Sequence, residues 1–102
     1  MKKELFRKTK QLHIEIQNDL KEKGLKSTVH MDLGNHEENV IFESYCDGSC
    51  TLFVKVGTKD ILQTKEKLTL KSLAKEVSSR LEKKMREYEN RLVSISENND
   101  YN

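Results

Sequence analysis

Apolar residues near the N-terminus recur with a helical period. Four of them fall within about 80° of one another on a helical wheel, namely Leu5, Leu12, Ile16 and Leu20. Lys21, Lys23 and Gly24 follow, and this combination is typical of a helix end. Cations suit the negative end of the helix dipole, and glycine readily adopts the left-handed conformation that closes a helix. The pattern predicts one amphipathic helix that ends at Gly24.

A longer apolar stripe predicts a second helix in the C-terminal part of the chain. Its members are three or four positions apart, with a mean spacing of about 3.6. They are Leu70, Leu73, Val77, Leu81, Met85, Tyr88, Leu92 and Ile95. Thr69 is a candidate N-cap, so we expect a helix over 69–95 that is about 40 Å long. The polar segment 96–102 is predicted to be a disordered tail, which leaves 1–95 as a single α+β domain.

Between the two stripes the period changes to two, which predicts strands. Val29, Met31 and Leu33 alternate with polar residues, and a Gly-Asn turn signal follows. The segments 40–46 and 51–56 also alternate, on either side of Asp-Gly-Ser. The predicted fold class is therefore α+β, with the order α-β-β-β-α, a three-stranded antiparallel sheet and a long C-terminal helix.

The hairpin between the second and third strands has two candidate registers. Asp-Gly favours a two-residue loop, 47–48. A three-residue loop, 47–49, pairs Phe42 with Val54 and keeps one face of the sheet uniformly apolar. Because a buried face specifies register strongly, we predict the three-residue loop.

This register places the two cysteines opposite each other. Directly opposed residues have Cα atoms about 4.5–5.5 Å apart, which is within disulfide range. Whether Cys46 and Cys50 form a disulfide or remain reduced core thiols stays open at this point. A zinc site that adds His30 and His36 is disfavoured, because Cys-x-x-x-Cys is not the usual zinc-binding spacing. We predict no metal and no cofactor.

The composition indicates a lean core, with 34% apolar and 35% charged residues among 102. A small chain with few apolar residues gains from a partner subunit. The distal half of the predicted helix would also overhang a sheet about 20 Å long. We therefore predict a homodimer, with an interface formed by Leu81, Met85, Tyr88, Leu92 and Ile95.

The charge of the chain and the absence of catalytic motifs narrow the range of possible functions. The net charge is +2, but the ends of the chain are mildly basic and the middle is mildly acidic. The four glycines lie singly, so there is no phosphate-binding glycine loop, and no motif of a catalytic nucleophile occurs. We predict a protein that is not an enzyme. The chain has neither a long apolar run nor a signal sequence, so we expect a cytoplasmic location without membrane association.

A resemblance to a known family also indicates a protein that is not an enzyme. The hairpin 40–56 is followed by the segment 57–62, which contains acidic and leucine residues, and then by a charged spacer and the helix 68–89. In element order and spacing this region resembles the YbaB/EbfC family of nucleoid-associated proteins. The resemblance implies a small, dimeric accessory protein that binds DNA with little sequence preference.

Two functions therefore remain. In the first, cations of both helices contact DNA phosphates, namely Lys3, Arg7, Lys10, Arg80, Lys83, Lys84 and Arg86. In the second, the chain is a protein-binding adaptor, chaperone or inhibitor from a mobile element or a secretion system. Its contact surfaces would be the overhanging stripe and the mixed sheet face of Ile41, Tyr45 and Phe53.

Overall fold

The computed structural model describes residues 3–25, 28–33, 38–46 and 50–99, with the side chains of 46, 50 and 93–99 excepted. The elements are α1 (Lys3–Glu22), β1 (Val29–Asp32), β2 (Asn39–Cys46), β3 (Cys50–Gly57), α2 (Thr58–Leu62) and α3 (Lys67–Asn99). The strands form one antiparallel sheet in the order β1-β2-β3. The predicted α+β class and the order of the main elements are confirmed, and the short helix α2 is an addition.

Helix α1 ends where the sequence predicts. Gly24 has a φ of 79°, in the left-handed region. Its N–H donates to the carbonyl of Lys21 at 3.0 Å, and the N–H of Leu25 donates to the carbonyl of Leu20 at 2.9 Å. These two bonds form a Schellman motif. Leu25 then packs against the core, so the motif turns the chain back toward the sheet.

The two long helices run side by side in the same direction. Each of β1, β2, β3 and α3 runs opposite to the main element before it. Helix α3 therefore runs in the same direction as α1. The Ser78 hydroxyl lies 3.3 Å from a carboxylate oxygen of Asp19, and Lys23 Nζ lies 3.9 Å from one of Glu82. Residues later in α1 thus contact residues later in α3, as expected for two parallel helices.

The hydrophobic core lies between these helices and one face of the sheet. Phe42 is opposite Val54 and Cys46 is opposite Cys50, so the three-residue loop predicted for the second hairpin is confirmed. The core has members in every element, namely Leu5, Leu12, Ile16, Leu20, Val29, Val40, Phe42, Val54, Val56, Ile61, Leu70, Ala74, Val77, Leu81 and Met85.

Helix α1 also holds the first residue of β1 through two side chains one turn apart. The N–H of Val29 donates to Gln17 Oε1 at 2.8 Å, and its carbonyl accepts from His13 Nε2. The His13 ring stacks on Phe42, with centroids 6.3 Å apart and planes at 17°. Both backbone groups at the start of β1 are therefore satisfied by the helix beneath it.

Helix α2 connects β3 to α3 and is held by Lys8. The Lys8 ammonium donates to the carbonyls of Leu62 at 3.1 Å and Thr64 at 2.8 Å, and its side chain is only 13% exposed. A helix C-terminus leaves carbonyls without partners and favours a cation. Ile61 of α2 is fully buried, so this short segment contributes to the core as well.

The ends of α3 differ from the prediction. The Glu66 carbonyl accepts the first helical bond, from the N–H of Leu70 at 3.2 Å, so Glu66 is the N-cap and Thr69 lies inside the first turn. Thr69 Oγ instead accepts from the N–H of Glu66 at 3.2 Å. The helix extends to Asn99, four residues beyond the predicted end at residue 95, and 100–102 lie outside the described residues.

Two residues of the predicted dimer interface lie in the chain's own core. Leu81 is 0% exposed and Met85 is 5% exposed. The reason is that α1 runs beside α3 as far as Glu82 and covers this part of the stripe from the same chain. Leu81 and Met85 thus belong to the hydrophobic core of the chain itself.

A buried hydroxyl on the inner sheet face provides a test of the core. Ser44 is fully buried and its Oγ has no hydrogen-bond partner. An unsatisfied buried polar group is destabilising, so we expect Ser44→Ala to raise the free energy of unfolding by about 1 kcal/mol, measured by urea denaturation.

Ser78→Ala is the matched control. Ser78 is equally buried, but its hydroxyl has the Asp19 carboxylate and the Lys75 carbonyl within hydrogen-bond distance. That variant is expected to gain no stability. A loss of stability in Ser44→Ala would show that the Ser44 hydroxyl finds a partner in solution.

Candidate nucleic-acid interface

An open groove of about 430 Å³ lies between β3 and α3 and carries mostly cationic side chains. Its lining comes from three consecutive strand residues and four residues of one helix flank, namely Phe53, Val54, Lys55, Arg80, Lys83, Lys84 and Glu87. Four of these residues are cations and one is an acid. The groove is therefore a locally positive part of a chain whose overall charge is close to zero.

The two periodicities of the chain explain how these residues meet. Alternation along β3 turns Val54 into the core and leaves Phe53 and Lys55 on the outer side. Along α3, positions 80, 84 and 87 are four and three residues apart, so they share one flank. That flank borders the buried stripe on the side of β3. The packing of β3 and α3 against the core thus determines that these cations lie next to one another.

The cations of the groove differ in how far they are already neutralised. Arg80 donates to Glu76 at 2.8 Å, in a pair one helical turn apart. Within the described part of the chain, Lys55 and Lys83 form no ion pair. Lys55, Lys83 and Lys84 are all solvent-exposed. Three lysines are therefore available to an anion that enters the groove.

An exposed aromatic ring lies beside these lysines. The Phe53 side chain is 46% exposed, and Lys84 Nζ lies 5.8 Å from the ring centroid. This is the geometry of a cation–π contact. The contact brings the charge of α3 to the outer edge of the sheet.

The outer sheet face continues from Phe53 to a second aromatic pair. Tyr45 of β2 is 56% exposed, and its ring lies 5.0 Å from that of His30 on β1. The Tyr45 hydroxyl donates to Glu43 Oε2 at 3.2 Å. This bond, together with the negative charge of Glu43, raises the pKa of Tyr45 above its ordinary value. Ile41, on the same face, is 9% exposed.

The structure brings together only three of the seven cations predicted to contact DNA, namely Arg80, Lys83 and Lys84. Arg86 lies on the other flank of α3, where it pairs with Glu82 at 3.3 Å. The remaining three are on the exposed face of α1, away from the groove, and are Lys3, Arg7 and Lys10.

Lys55 is a groove cation that was not predicted from the sequence, and Phe53 was expected only on a protein-contact face of the sheet. The signal was present in the strand pattern, because both residues alternate with the apolar face of β3. What the sequence does not contain is the packing of α3 along that strand, which places its cations next to them.

The distal part of the predicted dimer interface is more exposed than Leu81 and Met85. Tyr88 is half-buried and Leu92 is 43% exposed, whereas the side chain of Ile95 lies outside the described residues. Helix α1 ends at Glu22, beside the middle of α3, so it does not accompany these distal turns.

Neither a metal centre nor a membrane span is found in the described ranges. No group of three His, Cys, Asp or Glu side chains there could hold a metal ion. His36 and the side chains of Cys46 and Cys50 lie outside those ranges, so the zinc site and the disulfide considered above are not tested. None of the described helices combines the length and the apolar character needed to cross a membrane.

Comparisons with protein-family models, curated proteins and solved structures found no match for this chain. The resemblance to the YbaB/EbfC family therefore stays a prediction from element order and spacing.

The raised pKa of Tyr45 gives a test of the outer face. Glu43→Gln removes the carboxylate charge, so the pKa of Tyr45 should fall toward its ordinary value of about 10. The shift favours the neutral phenol in the folded chain. Its stabilising effect is therefore complete below the ordinary pKa and is lost as the pH rises through the folded-state pKa.

The measurement is an absorbance titration of phenolate in a background that carries Tyr88→Phe and Tyr101→Phe, so that only Tyr45 reports. Tyr45→Phe in the same background removes the signal and serves as the control. An apparent pKa at or below the ordinary value with Glu43 intact would contradict the hydrogen bond between the two side chains.

Proposed function

We propose that this chain binds nucleic acid through the groove between β3 and α3 and catalyses no reaction. The observation that supports the proposal most directly is the convergence of Lys55, Arg80, Lys83 and Lys84 on one groove beside an exposed aromatic ring. Phosphate contacts need positive charge at a suitable spacing and little else.

The chemistry of the groove favours binding without strong sequence preference. Lysine ammonium groups contact phosphates as point charges and carry no information about bases. Glu87 lies in the groove and Glu76 partly neutralises Arg80, so the attraction is moderate. We expect weak binding that falls steeply as salt is added.

The alternative function, a protein-binding adaptor, chaperone or inhibitor, would use the same outer sheet face. Tyr45 and Phe53 are exposed there, as such a contact would need. Nucleic acid is the better candidate because the lysines cluster at one edge of this face. A protein partner that matched them would itself have to be acidic.

Self-association is part of the proposal. Helix α3 has 33 residues and is therefore about 50 Å long, and the described chain extends 55 Å along its longest axis. Leu92 is exposed on the distal turns that α1 does not accompany. A second copy that packs its own distal turns here would cover both stripes and place two grooves in one particle.

The groove is tested by removing two of its lysines. We expect Lys83→Gln/Lys84→Gln to weaken binding of a DNA oligonucleotide at least tenfold at low salt, measured by fluorescence polarisation. Each lost phosphate contact should also reduce the slope of log K against log salt by about 0.7–0.9. Lys71→Gln/Lys75→Gln is the matched control, since it changes the net charge equally on the other flank of α3.

The control variant should bind like the original chain. An equal loss of DNA affinity in the two variants would show that binding depends on the overall charge and not on the groove. Absence of binding at low salt with micromolar protein would overturn the proposed function itself.

Self-association is tested by Leu92→Asp. We expect the original chain to have the mass of a dimer in light scattering and Leu92→Asp to have the mass of a monomer with nearly unchanged melting. Leu81→Asp is the contrasting variant, because a charge in the core should unfold the chain whether or not it dimerises. A monomeric mass for the original chain at micromolar concentration would refute the dimer.

A further inference from the structure

We infer that the ligand of this surface is a single-stranded nucleic acid whose bases stack on Phe53 and Tyr45 while its phosphates lie along the groove. The inference rests on the proposed function and names the form of nucleic acid that this surface recognises. It is supported by the geometry of the outer sheet face, by the distribution of charge across that face, and by the exposure of the two rings.

The register of β2 and β3 sets the distance between the two rings. Glu43 is opposite Phe53 and Tyr45 is opposite Thr51, so Phe53 and Tyr45 are diagonal neighbours on one face. Diagonal neighbours are about 7–8 Å apart. Successive bases in a duplex strand are only about 3.4 Å apart. Two successive bases that stack on these two rings must therefore be farther apart than in a duplex. A single strand permits this separation and a duplex does not.

Charged side chains are distributed unevenly across the outer sheet face. Lys55 and Lys84 lie on the β3 side, beside Phe53. Glu43 and Asp32 lie toward β1, on the other side of Phe53. A phosphate backbone is attracted to the first side and repelled from the second. The strand is thereby oriented with its backbone along the groove and its bases directed over the sheet.

Both rings are exposed and are held on regular strands. Phe53 is 46% exposed and Tyr45 is 56% exposed, and both belong to strands rather than to loops. Tyr45 is further held by its bond to Glu43 and its contact with His30. Rings that are exposed and already oriented lose little conformational freedom when a base stacks on them.

The experiment compares one DNA oligonucleotide as a single strand and as its duplex, by fluorescence polarisation with the full chain. We expect the single strand to bind more tightly. Phe53→Leu and Tyr45→Leu should each weaken binding of the single strand roughly 5- to 150-fold and weaken duplex binding much less. Tyr45→Phe keeps the ring and loses the hydroxyl, so it should restore the affinity that Tyr45→Leu loses.

The outcomes separate this inference from the proposed function. Equal affinity for the two forms, with neither form affected by Phe53→Leu, would overturn the inference and leave the groove as a phosphate-binding site. Failure of Tyr45→Phe to restore affinity would show that the hydroxyl, rather than stacking, is responsible, and would also overturn it. Absence of binding to either form at low salt would overturn the proposed function as well.

Discussion

The inner face of the sheet has to be kept away from water, and the rest of the fold depends on how this is achieved. Val40 and Phe42 on β2 and Val54 on β3 share that face only in the register set by a three-residue loop. The same register determines which side chains lie outside, since alternate residues of a strand point to opposite faces. Phe53 and Lys55 are therefore on the outer side because Val54 and Val56 are inside.

The cover of this face also explains why Leu81 and Met85 are buried within a single chain. After three antiparallel strands, α3 runs in the same direction as α1, and the two helices lie side by side over the sheet. Lys8 holds the connection at one end and Asp19 approaches Ser78 further along. A small domain stabilised in this way concentrates its few apolar residues in a single cluster. The distal turns of α3 lie beyond this cover, and Leu92 is exposed there.

The sequence predicted those features that local physics decides. The end of α1 follows from Gly24, and the hairpin register follows from an apolar face that tolerates only one pairing. It could not predict features that depend on which elements become neighbours. The burial of Leu81 requires that α1 lies beside α3, and the role of Lys8 requires that α2 ends beside α1. The groove belongs to this second class, because its residues come from two elements that only packing brings together.

The size of the groove constrains how the chain would act. Under the proposed function, three available lysines would neutralise about three phosphates, and such a small number would give weak binding at physiological salt. Two grooves on one particle would act on the same strand, and the second contact would then form at a high effective concentration. Leu92 is exposed on the distal turns of α3 and does not line the groove, so under the proposed function these turns could join two copies without using the groove residues. Under the proposed function, the overhang of α3 and the modest charge of the groove are thus complementary features, since dimerisation would compensate for weak contacts at each site.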